Sequence, residues 1–207
     1  MPAARALLLL AAVVGTSARW CQVENVKADA NGDYTFAGPW RIDGCTTLSL
    51  DHGTCAESDC PYRNKFGDEE IIQLADALHG NGVLTALSLS SNELTDESVK
   101  ALAEALRDNE VLNELNLQGN QIGDAGAIAL AEVIGTNPAF TFLNIAHNQV
   151  TDVGGNALLT ALKSQDSALE TLHMDNNKMG KKLVAEADNY SKEALTPPAD
   201  LEEKGEL

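Results

Sequence analysis

Four stretches of this chain lie over one another without a gap, and that self-similarity limits what it can fold into more than any other feature. They begin LTALSLSSNELTD at Leu84, LNELNLQGNQIGD at Leu112, FTFLNIAHNQVTD at Phe140 and LETLHMDNNKMG at Leu169. Each reads L-x-x-L-x-L-x-x-N-x-L, with Phe, Ile, Val or Met at some apolar places. The asparagines Asn92, Asn120, Asn148 and Asn177 follow one another at a step of 28, lengthened by one before the last. A unit this short cannot bury its apolar side alone. Such units stack and share one continuous core.

Every place in the pattern has a physical task. Leu87 and Leu89 are two residues apart, so they point to one side of a short strand, toward the core. The asparagine is expected to turn inward, where its amide can satisfy backbone groups of its own turn and of the adjoining coil. The second half of each unit reads as a helix. DESVKALAEAL (Asp96 to Leu106) and DAGAIALAEVI (Asp124 to Ile134) space their apolar residues at i, i+3, i+4 and i+7. Asp96 and Asp124 are expected to cap the first turns of their own helices. Ala103 and Ala131 are small where a helix must approach the sheet closely.

The pattern continues upstream. FGDEEIIQLADALHGNGV, from Phe66, matches IGDAGAIALAEVIGTNPA, from Ile122, and CTTLSLDHG, from Cys45, matches the strand half with Gly53 in the asparagine's place. The span from Gly53 to Asn92 equals one unit of 28 plus an insertion of 11. From residue 45 to about 180 the chain resembles the leucine-rich repeats of the ribonuclease-inhibitor-like subtype. That resemblance implies an α/β solenoid: a short, curved, right-handed coil with a parallel sheet on the concave side and helices outside. It also implies a non-catalytic module that binds proteins through the concave face. Members of the subtype are commonly longer and cytosolic, so the surface carries over and the partner does not.

The expected organisation is a signal peptide at 1–18, an N-terminal cap at 19–44 and repeats at 45–83, 84–111, 112–139, 140–168 and 169–180 onward. A C-terminal capping helix and acidic tail then fill 181–207. The leader reading rests on Arg5, the apolar run Ala6 to Val14 and the small residues Gly15 to Ala18. Nine apolar residues would span only about 14 Å as a helix, against a hydrocarbon core of about 30 Å. The chain is therefore expected in the secretory pathway, extracellular or in the endoplasmic reticulum lumen. The terminus Lys204-Gly205-Glu206-Leu207 resembles a K-D-E-L retention signal, with Gly205 in place of the acidic residue. The alternative role is thus a luminal accessory protein. Asn189-Tyr190-Ser191 is a glycosylation sequon, expected beside a flexible tail.

Cys21, Cys45, Cys55 and Cys60 are an even set in a chain of this kind, which favours disulfides. Three pairings are possible. The local one, Cys21–Cys45 with Cys55–Cys60, is favoured because each pair brackets one segment. The gaps of 24, 10 and 5 between successive cysteines lack the paired spacing of a zinc site. A net charge of −17 disfavours nucleic acid and anionic membranes and makes a basic or receptor-like protein the more natural partner. The oligomeric state is not legible.

With the leucines turned inward, fifteen positions face the concave side: Thr47, Ser49, Asp51; Ala86, Ser88, Ser90; Glu114, Asn116, Gln118; Phe142, Asn144, Ala146; Thr171, His173, Asp175. They include three acids, no Lys or Arg, and one aromatic. Asp51, Ser88, Glu114, Asn116, Phe142, Asn144, His173 and Asp175 are the expected protein-binding residues, with Phe142 as the anchor. His147, His173 and Asp175 would be the ligands of a metal-dependent alternative. Asp29 to Asp33 begins like a calcium loop, but Tyr34 and Trp40 stand where that loop needs Gly and Glu. It reads as a turn. No nucleophile elbow, zinc-protease motif or phosphate-binding glycine loop is present, and neither catalysis nor a cofactor is expected.

Overall fold

The computed structural model describes residues 26–28, 34–36, 42, 44–51 and 66–194, with only the backbone of the first two segments and of 191–194. The expected leader, Cys21, Cys55, Cys60, the insertion with its candidate disulfide, and the acidic tail lie outside the described residues. Cys45 is disulfide-bonded. Two short strands, β1 (Val26–Ala28) and β2 (Tyr34–Phe36), pair antiparallel within the segment expected to be a cap.

The repeats then alternate strand and helix. In order they are β3 (Thr47–Ser49), α1 (Asp68–Leu78), β4 (Ala86–Ser88), α2 (Asp96–Arg107), β5 (Glu114–Asn116) and α3 (Asp124–Ile134). They continue with β6 (Phe142–Asn144), α4 (Asp152–Leu162), β7 (Thr171–His173) and α5 (Lys181–Ala194). The five strands β3 to β7 form one parallel sheet in sequence order. The central residue of each strand, Leu48, Leu87, Leu115, Leu143 and Leu172, is buried, at 2% exposure or less. The helices face them with Ile71, Leu74, Val99, Leu102, Ala127, Leu130, Leu158 and Leu162. Burying a Leu or Ile side chain is worth roughly 1.5–3 kcal/mol, so this shared apolar layer is the main source of stability.

The asparagine of each unit bridges two coils. Asn120 Nδ2 donates to the carbonyls of Leu89 in the preceding coil (3.0 Å) and Leu117 in its own (2.9 Å). Its Oδ1 accepts the N–H of Leu94 at 3.2 Å. Asn92, Asn148 and Asn177 repeat this arrangement. A buried amide with all these groups bonded fixes register at little desolvation cost. A second ladder runs where helices return to strands. Asn109 Nδ2 donates to Leu78 and Asn81 carbonyls, and Asn137 Nδ2 to Leu106 and Asn109 carbonyls. Its members Asn81, Asn109 and Asn137 recur at a constant step of 28 in the sequence.

The aspartates correct the capping expectation. Asp96 and Asp124 are the first residues of their helices, whose N-caps are Thr95 and Gly123. Their carboxylates serve the next helix instead. Asp96 Oδ1 accepts the N–H groups of Gly123 (2.7 Å) and Gly126 (2.9 Å). Asp124 accepts the Thr151 N–H (2.8 Å), the Thr151 hydroxyl (2.6 Å) and the Gly154 N–H (3.0 Å). Parallel helices one coil apart bring each carboxylate to its neighbour's free N–H groups, a reach that a single unit's pattern does not contain. Gly154 is needed for this closeness: a Cβ there would lie 2.8 Å from Asp124 Oδ1 and 2.9 Å from the Ala127 Cβ.

Candidate functional site

Parallel register sets the concave residues in rows. Thr47, Ala86, Glu114, Phe142 and Thr171 stand side by side across the sheet, as do Ser49, Ser88, Asn116, Asn144 and His173. Asp51, Ser90, Gln118, Ala146 and Asp175 follow where the coils begin to bend. Fourteen of the fifteen positions keep some exposure. The exception is Ala146, buried at 4%.

Toward the N-terminal end the face is wired to itself. Asp51 Oδ1 accepts the Ser88 hydroxyl and the Ser90 N–H, each at 2.6 Å, while Ser49 donates to Asp51 Oδ2 at 3.1 Å. Asn116 Nδ2 donates to the Ser88 hydroxyl at 3.0 Å, and Asn116 Oδ1 accepts the Gln118 N–H. Asn144 Nδ2 reaches Gln118 Oε1 at 3.3 Å, and its Oδ1 accepts the Ala146 N–H. Of the eight expected binding residues, Asp51, Ser88, Asn116 and Asn144 belong to this web.

The other four lie outside it. Glu114 is exposed, and its carboxylate has no side-chain bond among the described residues. Partly buried Phe142 meets exposed His173 edge to face, with ring centroids 5.7 Å apart and an interplanar angle of 67°. Asp175 is exposed, and its carboxylate accepts from the neighbouring Asn176 Nδ2 at 2.5 Å. The same Asn176 amide contacts His147 Nε2 at 3.1 Å. His147 therefore lies on the rim with Asn176, while His173 packs on Phe142. Among the described residues no His, Cys, Asp and Glu side chains are grouped to hold a metal ion.

The rim has a feature that the sequence reading did not isolate. Ser91, Gly119, His147 and Asn176 hold the same turn position with φ of 60°, 71°, 57° and 54°. Only Gly119 is free of the Cβ penalty, which is roughly 1 kcal/mol or more for an ordinary residue. The signal was the residue directly before each repeat asparagine, where one coil has Gly.

On the helix side, α3 and α4 flank an open groove of about 550 Å³ lined by Ile128, Ala131, Gly135, Ala157 and Thr160 among others. Ser164, also on its lining, has a buried hydroxyl without a bonding partner among the described residues. Sequon residue Asn189 is exposed and sits within α5, which runs on to Ala194. Among the described residues no helix is long and apolar enough to cross a membrane.

Comparison with known proteins agrees with this geometry. The family model described as Leucine Rich repeat matches residues 80–103, 108–131 and 136–159. The parallel sheet, the alternating helices and these matched repeats give the chain the fold of an α/β leucine-rich-repeat solenoid. Among solved structures it is similar to the leiomodin-1 actin-binding site 2, at 18% identity and a TM-score of 0.55, covering 72% of this chain and 80% of that one. A second match is internalin C2 from Listeria monocytogenes, at 20% identity and a TM-score of 0.30, covering 72% of this chain and 70% of the other. No curated protein matches the sequence.

Proposed function

We propose that the chain is a non-catalytic protein-binding module of the secretory pathway that grips a basic segment of its partner with the C-terminal half of its concave face. One observation carries this reading. Phe142, held edge to face by His173 and flanked in its row by Glu114, is the one aromatic on a face with no Lys or Arg. An aromatic with an exposed acid beside it suits an Arg or Lys side chain, which can stack on the ring while its charge is neutralised. The leiomodin-1 neighbour is named for binding actin; at 18% identity it lends the fold and no partner.

The regular step of the repeats and the alanine-rich helices support placement in the ribonuclease-inhibitor-like subtype. The leader pattern at 1–18 and the engaged Cys45 support an oxidising secretory compartment. The Lys204 to Leu207 terminus favours a second role within that compartment, as an accessory protein retained in the endoplasmic reticulum lumen.

The test is capture from the secretory fraction with a tag placed directly after residue 18, comparing the natural chain with Phe142→Ala. A basic partner should be held by the first and lost from the second, with affinity falling about 30-fold, equal to about 2 kcal/mol. Equal capture would remove the anchor, and absence of the chain from that fraction would remove the compartment.

A further inference from the structure

The helices α1 to α4 begin at Asp68, Asp96, Asp124 and Asp152, one step of 28 apart, so each outward position occurs four times. On α2 four such positions are all charged and exposed: Glu97, Lys100, Glu104 and Arg107. On α3 the same places hold Ala125, Ile128, Glu132 and Gly135, and on α4 Val153, Asn156, Thr160 and Lys163. Charge has been given up there without burial, since Ile128 keeps 40% of its surface exposed.

Gly135 opens the groove between these two helices. It stands where the other helices carry His79, Arg107 and Lys163. Its backbone, at φ −76° and ψ −11°, is in the right-handed helical region that any residue adopts. A Cβ there would meet nothing closer than the Ala131 carbonyl oxygen at 3.6 Å, an ordinary contact. Neither the turn nor the packing requires glycine. What the missing side chain leaves is open space on the helix side, about 550 Å³ of it.

The same absence removes a cation. One coil earlier, Arg107 Nε lies 3.5 Å from Glu104 Oε2, and the guanidinium also pairs with Glu132 on α3. One coil later, Lys163 Nζ lies 2.5 Å from Glu186 Oε1 on α5. Gly135 supplies nothing equivalent. The groove lining is apolar at Ile128, Ala131, Ala157 and Ala161, with the acids Glu132 and Asp166 beside them. Arg107 occupies only Oε2 of Glu132, and the exposed Asp166 carboxylate has no bond among the described residues.

We propose that this groove is a second docking surface, for a cationic amphipathic helix of a partner protein. Its apolar side covers Ile128 and the alanines, as a helix packs its ridges into a trough between two others. An Arg or Lys on its edge takes the place that Gly135 leaves, against Glu132 and Asp166. The net charge of −17 favours the approach of such a helix. The groove lies on the helix side, away from Phe142, so the proposal does not depend on the concave-face reading.

The experiment titrates the isotope-labelled full chain with a synthetic helix carrying Leu at i, i+3, i+4 and i+7 and Lys on the flanks, following backbone amide shifts. Salt is held at about 0.15 M, where exposed charges more than about 8 Å apart are largely screened. Shifts centred on Ile128, Gly135 and Ala157 are expected. Gly135→Arg and Ile128→Lys each install the residue that α2 carries at that place, and each should weaken the probe at least tenfold. Unchanged Leu115 and Leu143 shifts would show the solenoid intact in both. Ile72→Arg adds the same charge at a similarly exposed place on α1 and should leave affinity within about twofold. Equal weakening by Ile72→Arg would reduce the attraction to net charge and overturn the proposal. So would shifts centred on Glu114 and Phe142, or no shifts at all. Groove shifts that change with protein concentration alone would also overturn it, since the occupant would then be a second copy.

Discussion

The two halves of the concave face are built from the same repeat and spend their polar groups differently. Around Asp51, Ser88, Asn116 and Gln118, side chains bond one another and the turns beneath them, so a partner would have to break existing bonds to make new ones. Around half-buried Phe142, the exposed side chains of Glu114, His173 and Asp175 are bonded little or not at all within the described residues. Net binding energy comes from groups whose alternative is water, not from groups already satisfied by protein. A repeat lattice can thus carry a stabilising half and a recognising half without any change of fold.

The hardest blow to that contrast falls on what both halves stand on. Asn120 bridges two coils, and Asn120→Ala would strand the N–H of Leu94 and take one of two donors from each of the carbonyls of Leu89 and Leu117, which keep Asn92 and Asn148. A buried N–H left without a partner costs about 1–3 kcal/mol and each further hydrogen bond removed about 0.5–1.5 kcal/mol, so a loss of roughly 3 kcal/mol is expected in a denaturant titration. A loss under about 1 kcal/mol would mean that the ladder does not set the register of the face.

Asp51→Ala separates the halves directly. It leaves the Ser90 N–H and the Ser88 hydroxyl without their carboxylate acceptor, and should cost about 1–3 kcal/mol of stability while partner affinity stays within about twofold. Phe142→Ala should do the reverse. If Asp51→Ala also abolished capture of a partner, the division of labour across the face would be wrong.

Much of this was legible in one sequence because the repeat states each position four times. The strand leucines, the asparagine ladder and the set of fifteen concave positions follow from a period of two within each repeating unit. What a single unit does not contain is its neighbour. Asp96 and Asp124 read as caps for their own helices because the residues they serve, Gly123 with Gly126 and Thr151 with Gly154, are 27 and 30 positions away. For the same reason nothing in the pattern separates Ser88, committed to Asp51 across a strand, from His173, left exposed against Phe142. Period gives direction, and only the stacked coils give partners.

The helix-side aspartates offer the gentlest test, because they act on the scaffold and leave both halves of the face untouched. The Thr151 hydroxyl, aided by the Thr151 and Gly154 N–H groups against a smaller opposing effect of burial, holds the Asp124 carboxyl below its ordinary value of 3.8. At Asp68 burial pushes upward, and bonds from Ser98 and Thr95 outweigh it, so that carboxyl is lowered too. A group lowered in the folded state binds fewer protons there than in the unfolded chain. Its stabilisation is complete above 3.8 and is lost as pH falls through the lowered value. Asp124→Asn keeps an acceptor oxygen toward Gly154 and removes the titration. Its urea midpoint should therefore fall less steeply than that of the natural chain as pH drops below 3.8, with the Asp68 contribution remaining in both. Partner capture at neutral pH should be unchanged. Parallel pH profiles would show that Asp124 contributes no charge-dependent stability, and its inter-coil bonds would then act as neutral geometry alone.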